Sequence, residues 1–286
     1  MQTPPDPHGP RRPRVGHIQF LNCLPLYYGL VESRTLLDID LRKDTPDRLN
    51  ERLISGDLDI GPISAAEYLR HAADLLLLPD LAVGSDGPVQ SVCLISKRPL
   101  AELDGALVAL GSTSRTSVLL AQMLLEDRYG VAPSYFECPP DLTSMLLEAD
   151  AAVLIGDVAL RARRDAAGLG LHCLDLGAAW RAWTGLPMVF AVWAARADYA
   201  EQRPEQVRDV HRAFRASLED SLGRVDEIAA RAARWEQFSE AELADYFRGL
   251  DFRLGERQQR GLAEFARRAA DRGAVPADVV PRFLAV

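Results

Sequence analysis

LVALGSTSRTS, residues 107–117, reads as a strand that breaks at a glycine turn and continues as a helix. Apolar Leu107–Leu110 stops at Gly111. Ser112-Thr113-Ser114 supplies the turn and a capping hydroxyl, and the helix then carries Leu119, Leu120, Met123 and Leu124 before Gly130 ends it. The same unit recurs on either side. VGHIQFL (15–21) precedes Asn22-Cys23-Leu24-Pro25 and a helix opened by the proline. DIDLR (38–42) precedes Thr45-Pro46 and a helix to Gly56, and LDIGPI (58–63) precedes a helix capped by Ser64. Ser134–Cys138, AAVLI (151–155) and His172–Leu176 continue the alternation, with helices from Asp141 and from Gly156-Asp157. Runs 75–83, 89–95 and 189–195 add strands, after which 204–222, 224–237, 240–248 and 255–272 read as helices.

Such alternation predicts an α/β protein with mainly parallel sheets and helices on both faces. The pattern restarts near Lys97-Arg98-Pro99, which predicts two lobes. The first takes 14–96 and 196–286 and includes a helical C-terminal region. The second takes 97–195, with the run near 189–195 leading the chain back. Residues 1–13, proline-rich and basic, read as a disordered tail.

The chain has 286 residues, 48% apolar and 26% charged, an ordinary globular balance. With 33 basic and 41 acidic side chains its formal charge is −8, which repels a phosphate backbone and excludes nucleic acid as a partner. An anionic ligand must therefore be held by a local site, not by the field of the whole molecule. The four cysteines, at 23, 93, 138 and 173, form no CxxC pair and read as small core residues of a reducing compartment. The five histidines form no HxH or HExxH pair, so no metal is expected. No secretory pattern opens the chain and no run of about 18 apolar residues occurs, so the expected setting is cytoplasmic, with no membrane partner.

In α/β sheets ligands bind beyond the carboxyl ends of the strands. That rule selects Asn22, Gly61–Ser64, Ser91, Gly111–Thr116 and Asp157. Ser112, Thr113, Ser114 and Thr116 put four hydroxyls at a helix start, where N–H groups and the macrodipole favour an anion; Ser114 serves equally as a plain cap. Asn22 can donate and accept at one centre, or form a turn. Gly61-Pro62 is a bend that lets backbone approach a ligand, or only a structural feature. Ser91 is a hydroxyl contact or an ordinary strand serine. Asp157 orients donors or caps its helix. Trp180, Trp183 and Phe190 wall a ring pocket or pack the core. No GxSxG and no Ser/Cys–His pairing is visible, so an enzyme here works with few acid–base groups.

With these segments in view, the chain resembles the chorismate dehydratases of the futalosine route to menaquinone. The carriers are RVGHIQFLNCLPLYYGL (14–30), KDTPDRLNERLISGDLDIGPIS (43–64), VALGSTSRTSVLLAQ (108–122), AAVLIGDVAL (151–160) and TGLPMVFAVWAAR (184–196), with DFRLG (251–255) in place. The resemblance implies a periplasmic-binding-protein type II fold used as an enzyme without cofactor, a carbon–oxygen lyase acting on chorismate. It implies Asn22 at the reacting centre and substrate contacts from Ser91, Ser112, Thr113, Ser114 and Thr116; Gly61 and Asp157 are expected to join them from their positions after strands. A non-catalytic small-anion receptor of the same fold, and the sister 1,4-dihydroxy-6-naphthoate synthase, are the alternatives.

Overall fold

A computed structural model describes residues 11–32 and 38–285. The chain starts with strand β1 (Arg14–Ile18), a 3-10 turn (Leu21–Cys23) and helix α1 (Leu24–Glu32). Strand β2 (Asp40–Asp44), helix α2 (Pro46–Ser55), strand β3 (Ile60–Ser64), helix α3 (Ala65–Arg70) and the long strand β4 (Leu75–Ser85) follow. The local signals work as read. Pro46 opens α2, Gly56 closes it at φ 89°, and the Ser64 hydroxyl accepts the Glu67 N–H at the start of α3.

The chain then crosses into a second sheet: β5 (Val92–Ser96), β6 (Leu107–Gly111), helix α4 (Arg115–Met123), β7 (Ser134–Cys138), α5 (Leu142–Glu148), β8 (Ala151–Ile155), α6 (Gly156–Ala166), β9 (His172–Asp175) and α7 (Leu176–Thr184). Strand β10 (Met188–Arg196) returns to the first sheet, and α8 (Ala197–Gln202), α9 (Pro204–Leu222), α10 (Val225–Ala232), α11 (Glu240–Gly249) and α12 (Glu256–Asp271) complete it. The sheet orders are β2-β1-β3-β10-β4 and β7-β6-β8-β5-β9.

Four strands of each sheet run one way and one runs against them. The reversed strands are β10, antiparallel to β3 and β4, and β5, antiparallel to β8 and β9. The connection explains β5. Strand β4 ends at the cleft and the short segment 86–91 carries the chain straight across, so β5 enters its sheet from the cleft side and runs away from it. The crossings therefore lie at 86–91 and 185–187, which corrects the pattern-based boundaries at 97 and 195. Lys97-Arg98-Pro99 is the loop after β5, not the link between lobes.

The central strands β5 and β8 are buried along almost their whole length, whereas edge strands β2 and β7 are half-buried to exposed throughout. The other edge of the first sheet, β4, is covered. Asp251 exchanges backbone hydrogen bonds with Gly84, the Phe252 carbonyl accepts the Ala82 N–H, and Leu77 pairs with the Arg282–Leu284 segment. The DFRLG segment thus closes an edge. Helix α9 packs on α1, where the Ser217 hydroxyl donates to the Leu26 carbonyl and accepts the Leu30 N–H.

Two sequence expectations change here. Residues 1–10 of the expected tail lie outside the described residues, but Arg11–Pro13 are anchored: Arg11 and Arg14 both grip Asp59, and the Pro13 carbonyl accepts the Asp40 N–H. Cys23 and Cys93 are core residues as expected, yet Cys173 is exposed on edge strand β9. Its thiol is held below the usual range, first by a hydrogen bond from Cys93 and then by Arg163.

Asp59 is 2% exposed. Burial alone would raise its carboxyl, but hydrogen bonds from Arg11, from Arg14 and from the Arg14 backbone N–H hold it at about 2, against an ordinary 3.8. A depressed acid contributes stability above its unfolded value and loses it as pH falls through the folded value. The window is therefore about pH 4 to 2, and the contribution is about 2 kcal/mol. Urea-unfolding free energies across that window should fall for the wild type by this amount more than for Asp59→Asn. Parallel declines would remove Asp59 as the cause.

Candidate active site

A narrow cavity of about 50 Å³ lies between the two sheets. Its walls are mainly apolar: Ile18 at the end of β1 and Phe20 just after it, Pro62 and Ile63 of β3, Val83 of β4, Val92 of β5, Ile155 of β8 and Phe190 of β10. The polar groups are amides and hydroxyls: Asn22, Asn50, Ser64, Ser114 and Ser117. Among the described residues no ionisable side chain lines it.

The geometry favours an anion even so. Pro46, Ser114 and Gly156 bring the starts of α2, α4 and α6 to one cavity. Each helix start carries partial positive charge on its N–H groups, worth about 0.3–1 kcal/mol to an anion at an exposed site and more where water is excluded. Three converging starts supply locally what the −8 chain lacks globally.

Asn22 is the middle residue of the Leu21–Cys23 turn. Its Oδ1 is buried with no hydrogen-bond partner. A buried amide oxygen left open costs stability, and such groups gather where a ligand or reaction uses them. Behind it, Cys23 is fully buried and its thiol is pushed far up by burial, so it remains neutral.

Of the residues selected from the sequence, Asn22, Pro62, Ile63, Ser64 and Ser114 line the cavity. Ser114 does both jobs offered for it, because its hydroxyl also accepts the Ser117 N–H at the start of α4. The others lie outside the lining, each for a definite reason. The Thr116 Oγ1 accepts the Ala66 N–H at 3.0 Å and so ties α4 to α3 across the lobes. The Ser91 hydroxyl receives the Tyr246 O–H at 2.8 Å, fastening the crossing segment to α11. Gly61 faces Gly16, where a Cβ would sit 3.4 Å from the neighbouring Cα, so it serves close strand packing. The Ser112 N–H extends the pairing to Cys138, and Thr113 sits in the turn beside it. Asp157 accepts the Leu21 N–H at 3.0 Å, the donor-orienting alternative and not a cap on its own helix.

Phe190 is a wall of the cavity, but Trp180 and Trp183 are not. Trp180 is buried, with its indole N–H on the Pro187 carbonyl, and the Arg268 guanidinium lies 3.7 Å from the Trp183 ring. Asn50 and Ser117 are site residues the sequence reading did not name as such. The Asn50 Oδ1 accepts the Ser64 N–H at 3.0 Å, and both side chains reach the cavity. A signal existed for Asn50: a polar residue beside Leu49 on the apolar face of α2, where burial demands a partner.

Among the described residues no helix is long and apolar enough to cross a membrane. No group of three or more His, Cys, Asp or Glu among them is placed to hold a metal ion.

Two mixed sheets, two crossings and a cavity at converging helix starts define a two-lobed protein of the periplasmic-binding-protein-like fold class. Solved structures share it. A protein from Archaeoglobus fulgidus superposes with TM-score 0.77 at 22% identity, covering 92% of this chain and 98% of that one. The periplasmic aliphatic sulphonate binding protein of Escherichia coli does so with TM-score 0.63 at 19%, covering 94% of each. Residues 13–271 match the menaquinone biosynthesis family, and the chain belongs to it. The chorismate dehydratase of Thermus thermophilus is 34% identical over 272 residues, 89% of this chain and 94% of that protein. The 1,4-dihydroxy-6-naphthoate synthase of the same organism is 25% identical over 278 residues, 95% of this chain and 98% of that protein.

Proposed function

We propose that this protein is a chorismate dehydratase, removing water from chorismate to leave 3-[(1-carboxyvinyl)oxy]benzoate. The observation that carries the proposal is a cavity with helix starts, hydroxyls and amides but no ionisable side chain. Such a site suits a dianion that brings its own base. The C3 proton of chorismate is vinylogous to the ring carboxylate, so its loss leaves a delocalised carbanion. Departure of the C4 hydroxyl then makes the ring aromatic. The substrate's enolpyruvyl carboxylate takes the C3 proton while the ring carboxylate carries the developing charge; the carboxylic acid so formed then passes that proton to the C4 hydroxyl, which leaves as water. The protein's share is positioning and charge stabilisation. Asn22 serves the reacting centre through its amide. Ser114 and Ser117, at the start of α4, hold a carboxylate. The 34% identity to a chorismate dehydratase supports this substrate over that of the sister synthase.

The test is incubation with chorismate, followed by chromatography and mass spectrometry for the aromatic enol ether. Bound chorismate returned unchanged would instead mark a receptor, and turnover of cyclic futalosine alone would mark the synthase. Ser114→Ala and Ser117→Ala should raise KM several-fold more than they lower kcat, because a carboxylate is bound alike in ground and transition states. A fall confined to kcat would remove these hydroxyls from substrate binding.

A further inference from the structure

We infer that Asp157 is the positioning residue for Asn22, acting from the second lobe through the Leu21 N–H; the inference rests on the dehydratase reading. The Leu21–Cys23 turn has no side-chain cap of its own, since Phe20 occupies the N-cap position. The missing acceptor comes from 136 residues away, where the Asp157 Oδ1 takes the Leu21 N–H at 3.0 Å. The preceding residue completes the seat. Gly156 has φ +66°, and a Cβ there would meet the Phe20 ring at 2.8 Å, so only glycine lets the ring lie flat on the start of α6. Gly156 in turn donates its N–H to the Ser91 carbonyl on the crossing segment. Gly156-Asp157 thus receives Phe20-Leu21 as a matched pair, ring on glycine and N–H on carboxylate. Asn22, next in the chain, lines the cavity, and its Oδ1 is buried with no hydrogen-bond partner.

A carboxyl kept only for the fold would be expected to sit low, as Asp59 does. Burial instead pushes Asp157 up from 3.8 to about 6; the Leu21 N–H opposes the rise, Glu236 adds to it and Arg161 counters it. The other groups around it are Cys23 on the turn and Tyr246 on α11. His17, Lys43, Tyr28 and Arg231 share with it a second cavity, of about 330 Å³, on the far side of the Phe20 ring. That cavity gives the carboxyl a route to exchange its proton. Its ionised form is held at a cost to stability, the pattern of a group kept for function.

The ionised carboxyl is the stronger acceptor, so kcat should fall as pH drops through about 6. Asp157→Ala should lower kcat about 10²-fold, the scale of a sub-ångström to ångström misplacement of a reacting group, with far less change in KM. Asp157→Asn keeps an acceptor without charge. It should recover part of the alanine loss and abolish the acid limb. In the wild type the Leu21 amide resonance should titrate with a midpoint near pH 6, independent of any activity. Wild-type kcat in Asp157→Ala, an acid limb surviving in Asp157→Asn, or a Leu21 amide unmoved as pH passes through about 6 would overturn the inference. If wild-type protein leaves chorismate untouched, the functional reading fails instead, and the amide titration still reads the Asp157–Leu21 contact.

Discussion

Asn22→Ala should lower kcat on chorismate by about 10²–10³-fold, the loss seen when one preorganised hydrogen-bonding group is taken from a developing charge. The expectation follows from what the cavity lacks. Its lining contains no acid, base or cation, so polar stabilisation at the reacting centre falls to very few groups. The Asn22 side chain can supply it: its NH2 donates to the departing oxygen, while its carbonyl oxygen is buried with no protein partner, on a turn gripped from the opposite lobe. A group matched to the transition state more than to the substrate changes kcat more than KM. Single-turnover measurement separates the chemical step from product release. Near-normal turnover in the alanine variant would take Asn22 out of the chemistry. Asn22→Asp places an unpaired carboxylate in a mainly apolar cavity, and should be no better than alanine.

Trp180→Ala should destabilise the protein by about 3–5 kcal/mol while leaving kcat per folded molecule unchanged. The Trp180 ring is fully buried on α7, edge-on to Phe265 of α12 at 6.1 Å and to Trp183 at 6.0 Å. Its indole N–H satisfies the Pro187 carbonyl on the return crossing, so truncation opens a void and strips a buried acceptor together. None of this touches the cavity, whose ring walls are Phe20 and Phe190. Urea unfolding followed beside steady-state kinetics distinguishes the two roles. A large fall in kcat with little change in the unfolding midpoint would return Trp180 to the ligand site.

Both expectations rest on a split that runs through the whole molecule. Elements were legible because their signals are local. Ser64, Asp141 and Gly56 announce helix ends within three residues of themselves, and AAVLI is a strand buried on both faces wherever it lies. Even the family could be read this way, since the opening segment and GSTSRTS keep their residue types in order. The crossings were less legible. The charged Lys97-Arg98-Pro99 loop is a stronger punctuation mark in sequence than 86–91, yet only the strand pairing says which sheet β5 joins.

The site shows the same division more sharply. Sequence alone placed Asn22 after a strand and clustered hydroxyls at a helix start, and both reach the cavity through Asn22 and Ser114. It had no means of telling Ser114 from Thr116, two residues apart and chemically alike. One lines the cavity; the other spends its oxygen on an amide fifty residues away in sequence. Nor was there a local sign that Asp157 would cap a turn near the start of the chain. A hydroxyl or carboxylate has few bonding positions, and who fills them is settled by whatever packs against it. Periodicity and caps are properties of neighbours along the chain. The identity of a residue's hydrogen-bond partner is a property of neighbours in space, and that is what decided which polar groups remain free to meet a ligand.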